Sequence, residues 1–135
     1  QGARDRAGLH DRIRFTGEVS EERLDQEWTS ASLFVSPSWY EGYGMALTEA
    51  LARGLPVIST SGGAIPETLP PAAACLVDPG DAAGLAGAID ELSANPDRRH
   101  AMAEAAVAAS RDLPRWPGQA ARFLDAVHEL ATDER

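Results

Sequence analysis

Two glutamates, Glu41 and Glu49, stand eight residues apart, and the segment Gly42-Tyr43-Gly44 lies between them. Glycines let a backbone approach a ligand closely. Met45 to Arg53 is rich in helix formers and stops before Gly54, which predicts a helix that begins near Gly44. The first-turn N–H groups and positive dipole end of such a helix favour a phosphate. Glu41 then sits in the loop and Glu49 more than a turn inside the helix. The two carboxylates reach different parts of one ligand rather than share a proton. Gly42-x-Gly44 also matches half of a dinucleotide fingerprint, but Leu47 occupies the third glycine position. On this pattern alone, a phosphate-binding loop and an ordinary loop stand level.

The elements that must position this loop can be read outward from it. Leu33-Phe34-Val35 is a continuous apolar run ending at Ser36-Pro37-Ser38, which suits a strand in a parallel sheet. Pro56-Val57-Ile58-Ser59 and Cys75-Leu76-Val77 read the same way. Ser61-Gly62-Gly63-Ala64 is a second glycine turn, leading into a short helix start at Pro66-Glu67-Thr68. Ile13-Arg14-Phe15-Thr16-Gly17 alternates apolar and polar residues and predicts a further short strand. Ser20 is placed to cap a helix whose Leu24, Trp28 and Ala31 share a face. Beyond Asp78-Pro79-Gly80 the pattern turns helical. Asp81 caps a helix with a Leu85, Ile89 and Leu92 stripe, and Asn95-Pro96 opens another, with Met102, Ala105, Ala106 and Ala109 on one side. A final helix after Leu113 to Pro117 groups Phe123, Val127 and Leu130. Strands alternating with helices predict an α/β fold with a parallel sheet, whose ligands bind at the carboxyl ends of the strands. Both glycine turns fall there.

Composition narrows the functions. The 135 residues are one domain's worth, 44% hydrophobic and 24% charged, as in a soluble globular chain. No apolar run is long enough to span a membrane, and no signal peptide opens the chain. It begins with Gln1 rather than Met, which reads as a piece of something longer. A net charge of −9 argues against nucleic-acid binding. There is no lysine, so a bound phosphate must rely on backbone N–H groups, helix ends or arginines. Cys75, the sole cysteine, lies in an apolar run and reads as a buried core thiol. His10, His100 and His128 lack metal-ligand spacing and read as surface or packing residues. Trp28 and Trp116 read as core anchors, and for Trp39 and Tyr40 packing outweighs lining a cleft. Turn hydrogen bonding is the favoured reading of Ser36 and Ser38. For Glu67, a role at the second glycine turn and none stand even.

One ordered series runs through the chain: Pro37-Ser38, Glu41-Gly42-Tyr43-Gly44, Glu49-Ala50, Gly54-x-Pro56-Val57-Ile58, Gly62-Gly63-x-x-Pro66-Glu67 and Leu76-Val77-x-Pro79-x-Asp81. It closely resembles the donor-binding half of the retaining glycosyltransferases of family 4. Phe15 to Val19, Ala31 to Val35 and the Arg115-Trp116-x-x-Gln119-Ala120 region fit the same family, so the resemblance covers nearly the whole chain.

The resemblance implies a Rossmann-like parallel sheet with flanking helices, incomplete at its N-terminal side, followed by C-terminal helices. Residues 1–135 would form a single nucleotide-sugar-binding domain, lacking the first strands and the acceptor domain of a two-domain enzyme. The implied activity is transfer of a hexose from a UDP-sugar or GDP-sugar to an acceptor glycan or glycolipid with retained configuration, without a metal ion or other cofactor. Glu41 would be the catalytic residue, at the sugar hydroxyls near the reacting carbon. Glu49 would hold the ribose through charge-assisted hydrogen bonds. Gly42, Tyr43, Gly44, Met45 and Ala46 would line the sugar and diphosphate, and Gly17, Glu18 and Val19 the base. For Glu18, a solvated loop charge is an equal reading. The family's arginine and lysine for the diphosphate would fall upstream of Gln1, so the chain alone is expected to be inactive.

The family's strand order, 3-2-1-4-5-6, would leave a gap between residues 13–17 and 32–36. Residues 13–17 would then pair directly with the next strand. Otherwise a second copy, as a homo-oligomer or domain-swapped pair, or a missing segment would fill the space. The expected location is the cytoplasm, with the whole enzyme at the membrane surface if its acceptor is a lipid. The competing readings are a nicotinamide-cofactor domain, disfavoured by Leu47 and the internal Glu49, and a non-catalytic sugar-nucleotide-binding or interaction module.

Overall fold

In a computed structural model, residues 2–113 and 116–133 are described, and the chain divides into two compact units, Gln1–Ala31 and Ser32–Arg135. The first unit holds helix α1 (Gly2–Arg6) and helix α2 (Glu21–Ser30). The Ser20 hydroxyl caps α2, accepting a hydrogen bond of 3.3 Å from the Arg23 N–H. The Arg14 guanidinium reaches both carboxylate oxygens of Glu27, at 2.5 and 2.7 Å, and Arg23 approaches the same carboxylate at 2.6 Å. The Arg4 guanidinium lies 5.2 Å from the centre of the Phe15 ring.

The expected strand at Ile13–Gly17 is absent. Alternation is necessary for a half-buried strand, but a strand exists only where a neighbour completes its hydrogen-bond ladder. Here the Ile13 N–H donates to the Leu9 carbonyl (3.0 Å) and the Ile13 carbonyl accepts from Arg4 (3.3 Å). Ile13 and Phe15 are exposed, and Gly17 adopts a left-handed conformation, with φ +62°. Residues 13–17 therefore do not form the strand that their alternation predicts.

The second unit is an α/β layer structure. Strands β1 (Phe34–Ser36), β2 (Val57–Thr60) and β3 (Ala74–Val77) form a parallel sheet in the order β1-β2-β3. Helix α3 (Met45–Ala52) connects β1 to β2, and the one-turn helix α4 (Ile65–Thr68) lies between β2 and β3. Helices α5 (Ala82–Ala94), α6 (Pro96–Ser110) and α7 (Trp116–Asp133) follow. Each strand begins within a residue of its sequence expectation. β2 is buried at all four positions, whereas β1 and β3 are half-buried, because only the central strand is covered along both edges.

Val35, Ile58 and Cys75 are register partners and face one side of the sheet. They pack on Ala88 and Leu92 of α5 and Met102 of α6. α3 packs against β1, β2 and α6 and buries Leu47, Ala50 and Leu51. Asp81 and Asn95 cap α5 and α6, accepting hydrogen bonds of 2.8 Å from Gly84 and 3.0 Å from Arg98. Two expectations of burial change. Cys75 is half-buried, because β3 closes the sheet on its side. On α7, Phe123 and Val127 are exposed rather than packed, and the Leu130 side chain lies outside the described residues. Among the described residues no helix is long and apolar enough to cross a membrane.

Candidate functional site

The site is built where β1 and β2 end. β1 runs into Pro37 and Ser38, and two hydroxyls from β2 hold that exit in place. Ser59 donates to the Ser36 carbonyl at 2.7 Å, and Thr60 donates to the Ser38 carbonyl. The Thr60 hydroxyl also accepts from the Gly62 N–H at 3.3 Å, so one side chain ties both strand exits together. Ser59 and Thr60 are buried polar groups, and these bonds satisfy them.

Glu41 lies on this scaffold. Its backbone forms an isolated parallel bridge with Gly63, and its carbonyl accepts from the Ala64 N–H at 2.9 Å. Gly63 sits at φ +65°, and a Cβ there would overlap the Glu41 backbone. The two glycine turns identified in the sequence therefore touch, and the second positions the first. The half-buried Glu41 carboxylate accepts a hydrogen bond of 3.0 Å from the Ser38 hydroxyl. The Ser36 and Ser38 hydroxyls are 3.3 Å apart.

α3 starts from Gly44, which has φ +76° and supplies no side-chain cap. The Gly44 carbonyl accepts from the Leu47 and Thr48 N–H groups at 2.9 and 3.1 Å. The N–H groups of Met45 and Ala46 precede the first intrahelical bond, as at any helix start, and are suited to an anionic ligand. Tyr43 and Met45 are exposed beside them. The Tyr43 carbonyl accepts from Thr68 of α4 at 3.0 Å, which fixes the loop to the second turn.

An open cavity of about 470 Å³ runs along α3, lined by Tyr43, Met45, Thr48 and Glu49 together with Ser110 and Leu113. Glu49 is exposed and pairs with Arg53 one turn on, at 3.3 Å. A neighbouring cavity of about 440 Å³ shares Tyr43, Thr48 and Leu113 and adds Glu67. Glu41 lines neither cavity, so the two glutamates face different surroundings.

Of the residues singled out in the sequence, Glu41, Gly42, Tyr43, Gly44, Met45, Ala46 and Glu49 form one continuous loop-and-helix start. Gly17, Glu18 and Val19 belong to the first unit, where Gly17 and Glu18 are exposed and Val19 is half-buried. Trp39 and Tyr40, expected to pack, are each 75% exposed. Arg115 and the side chains of Trp116 and Gln119 lie outside the described residues. Sequence reasoning missed the Ser38–Glu41 bond. The three-residue spacing, with Ser38 just after a strand, was the available signal. Among the described residues no group of three or more His, Cys, Asp or Glu is arranged to hold a metal ion.

The sequence and the fold are similar to those of known proteins. Along 88% of its length the chain is 37% identical to a lipopolysaccharide core biosynthesis mannosyltransferase of Rhizobium meliloti, and it spans 29% of that relative. The sucrose-phosphate synthase of Thermosynechococcus elongatus superposes on 98% of the chain with a TM-score of 0.86 at 30% identity, and the match covers 33% of that protein. The C-terminal domain of a glycosyl transferase group 1 family protein from Francisella tularensis superposes on 78% of the chain, with a TM-score of 0.71 at 27% identity and 55% of that domain covered. The chain thus spans about a third or less of the curated relatives it matches. The family model described as glycosyl transferases group 1 matches residues 3–108, and this chain belongs to that family.

Proposed function

We propose that this chain is the donor-binding domain of a longer retaining glycosyltransferase of family 4, a two-domain enzyme that moves a hexose from a UDP-sugar or GDP-sugar to a glycan or glycolipid. The observation that carries the reading is the start of α3. An uncapped helix N-terminus opens beside a ligand-sized cavity, with Glu41 before it and Glu49 within it. The mannosyltransferase relative supports mannose as one candidate sugar.

In this reading the diphosphate sits against the N–H groups of Met45 and Ala46, where the dipole of α3 favours the charge that develops as it departs. Those groups and arginines can neutralise it without a metal ion, so none is assigned. Glu49 accepts hydrogen bonds from the ribose hydroxyls, and Glu41 from the sugar hydroxyls near the reacting carbon. The bond from the anomeric carbon to the diphosphate breaks, one to the acceptor oxygen forms on the same face, and the acceptor proton leaves with the phosphate. Gly17, Glu18 and Val19 are assigned to the base. Acceptor recognition, and work at a cytoplasmic membrane surface, belong to the longer protein. The chain alone binds donor without transferring it, and a second copy or further strands complete its sheet.

The test is calorimetric titration of the chain with UDP, GDP and their glucose and mannose conjugates in metal-free buffer. Binding of one nucleotide, weakened by about 1.5–3 kcal/mol in Glu49→Ala, is the expected result. A folded chain that binds none of them, or a Glu49→Ala variant that binds equally well, overturns the assignment of the ribose to Glu49.

A further inference from the structure

Trp39 is an exposed indole held firmly in place. It lies three residues beyond β1 and is 75% exposed. The Thr60 hydroxyl fixes the carbonyl of the preceding residue, Ser38, and Gly62 lies so close under the Trp39 carbonyl that a Cβ there would overlap it. The six-membered ring rests on Gly80, whose Cβ would stand 2.7–3.3 Å from three ring atoms. One face of the indole is thus seated against backbone while most of the side chain meets solvent. An indole held in one orientation offers a flat apolar face to a ligand.

The ring walls a pocket of about 190 Å³ at the carboxyl ends of all three strands, whose other walls include Pro37, Thr60, Asp78 and Asp81. None of Glu41 to Glu49 lines it. One oxygen of Asp81 accepts from Gly84, and the Asp78 carboxylate has no hydrogen bond or ion pair among the described residues. The pocket lies below the range of about 300–1,000 Å³ that takes drug-sized ligands, so a whole nucleotide does not fit. Two carboxylates repel phosphate. A single aromatic wall lacks the cage that selects quaternary ammonium groups. A neutral ring with apolar C–H faces and hydroxyl donors on its rim satisfies both wall types, stacking on the indole and donating to the carboxylates.

We propose that Trp39, Asp78 and Asp81 form a subsite for one neutral pyranose unit, separate from the Glu41–Glu49 site and independent of the reading given to it. A saccharide chain laid along the carboxyl ends of the strands would place one unit there.

The experiment is a heteronuclear NMR titration of the isotope-labelled chain with methyl α-D-mannopyranoside and methyl α-D-glucopyranoside. It follows the Trp39 indole N–H, assigned by its loss in Trp39→Phe. A saturable shift with at least one glycoside, with a dissociation constant on the order of millimolar, is expected. It should vanish in Trp39→Ala, persist on neighbouring amides in Trp39→Phe, and weaken about threefold or more in Asp78→Asn. Because Trp39 is exposed, its truncation should leave the amide spectrum folded. Absence of a saturable shift overturns the proposal. So does a shift that survives Trp39→Ala on the neighbouring amides, or saturation by tetramethylammonium or inorganic phosphate in place of the glycosides.

Discussion

The Ser38 hydroxyl donates a 3.0 Å hydrogen bond to Oε1 of Glu41, and both residues stand on a strand exit that β2 holds through Ser59 and Thr60. The carboxylate assigned to the sugar is therefore oriented by a chain of hydroxyls. An ionised carboxylate only accepts hydrogen bonds, and Ser38 occupies one of its acceptor sites while others stay open to a ligand.

Ser38→Ala should separate sugar binding from nucleotide binding. Affinity for a nucleotide-sugar should fall by about 0.5–1.5 kcal/mol, and affinity for the bare nucleotide should hold. Calorimetry on both ligands checks this. Equal losses for the two would mean that Ser38 supports the loop as a whole and does not orient Glu41.

Gly63→Ala should be costly well away from the core. The position needs φ +65° and has no room for a Cβ beside the Glu41 backbone. The Glu41–Gly63 bridge should open, with a loss of about 1–3 kcal/mol in urea unfolding. An unchanged denaturation midpoint would show that the two turns are not mechanically joined.

Glu49→Ala should leave stability almost unchanged. Glu49 pairs with Arg53 one turn on, and exposed pairs of this kind contribute about 0.3–0.5 kcal/mol. A melting temperature that drops by many degrees would give Glu49 a structural role that its exposure does not indicate.

Leu92→Ala tests the core that carries the sheet. Leu92 is fully buried between α5 and the face bearing Ile58 and Cys75. Truncation should cost about 2–5 kcal/mol. A loss below 1 kcal/mol, read by chemical denaturation, would mean the α5–β2 packing is looser than the burial implies.

Much of this was legible in the sequence because the signals are local. Continuous apolar runs located β1, β2 and β3, and Ser20, Asp81 and Asn95 announced helix starts through hydrogen bonds that span three residues. Gly44 and Gly54 bounded α3, and the Glu41–Glu49 spacing with its glycines pointed to the candidate site. What sequence could not decide was whatever needs a distant partner. Ile13 to Gly17 has the alternation of a strand, yet pairing depends on a neighbour that alternation does not specify. The docking of Gly63 under Glu41, the Ser38–Glu41 bond and the seating of Trp39 on Gly80 join residues whose spacing says nothing about contact. Local propensity chose the elements. The parallel stacking of β1 on β2 and β3 brought their exits to one edge, and that alone decided which side chains meet there and which are left to solvent.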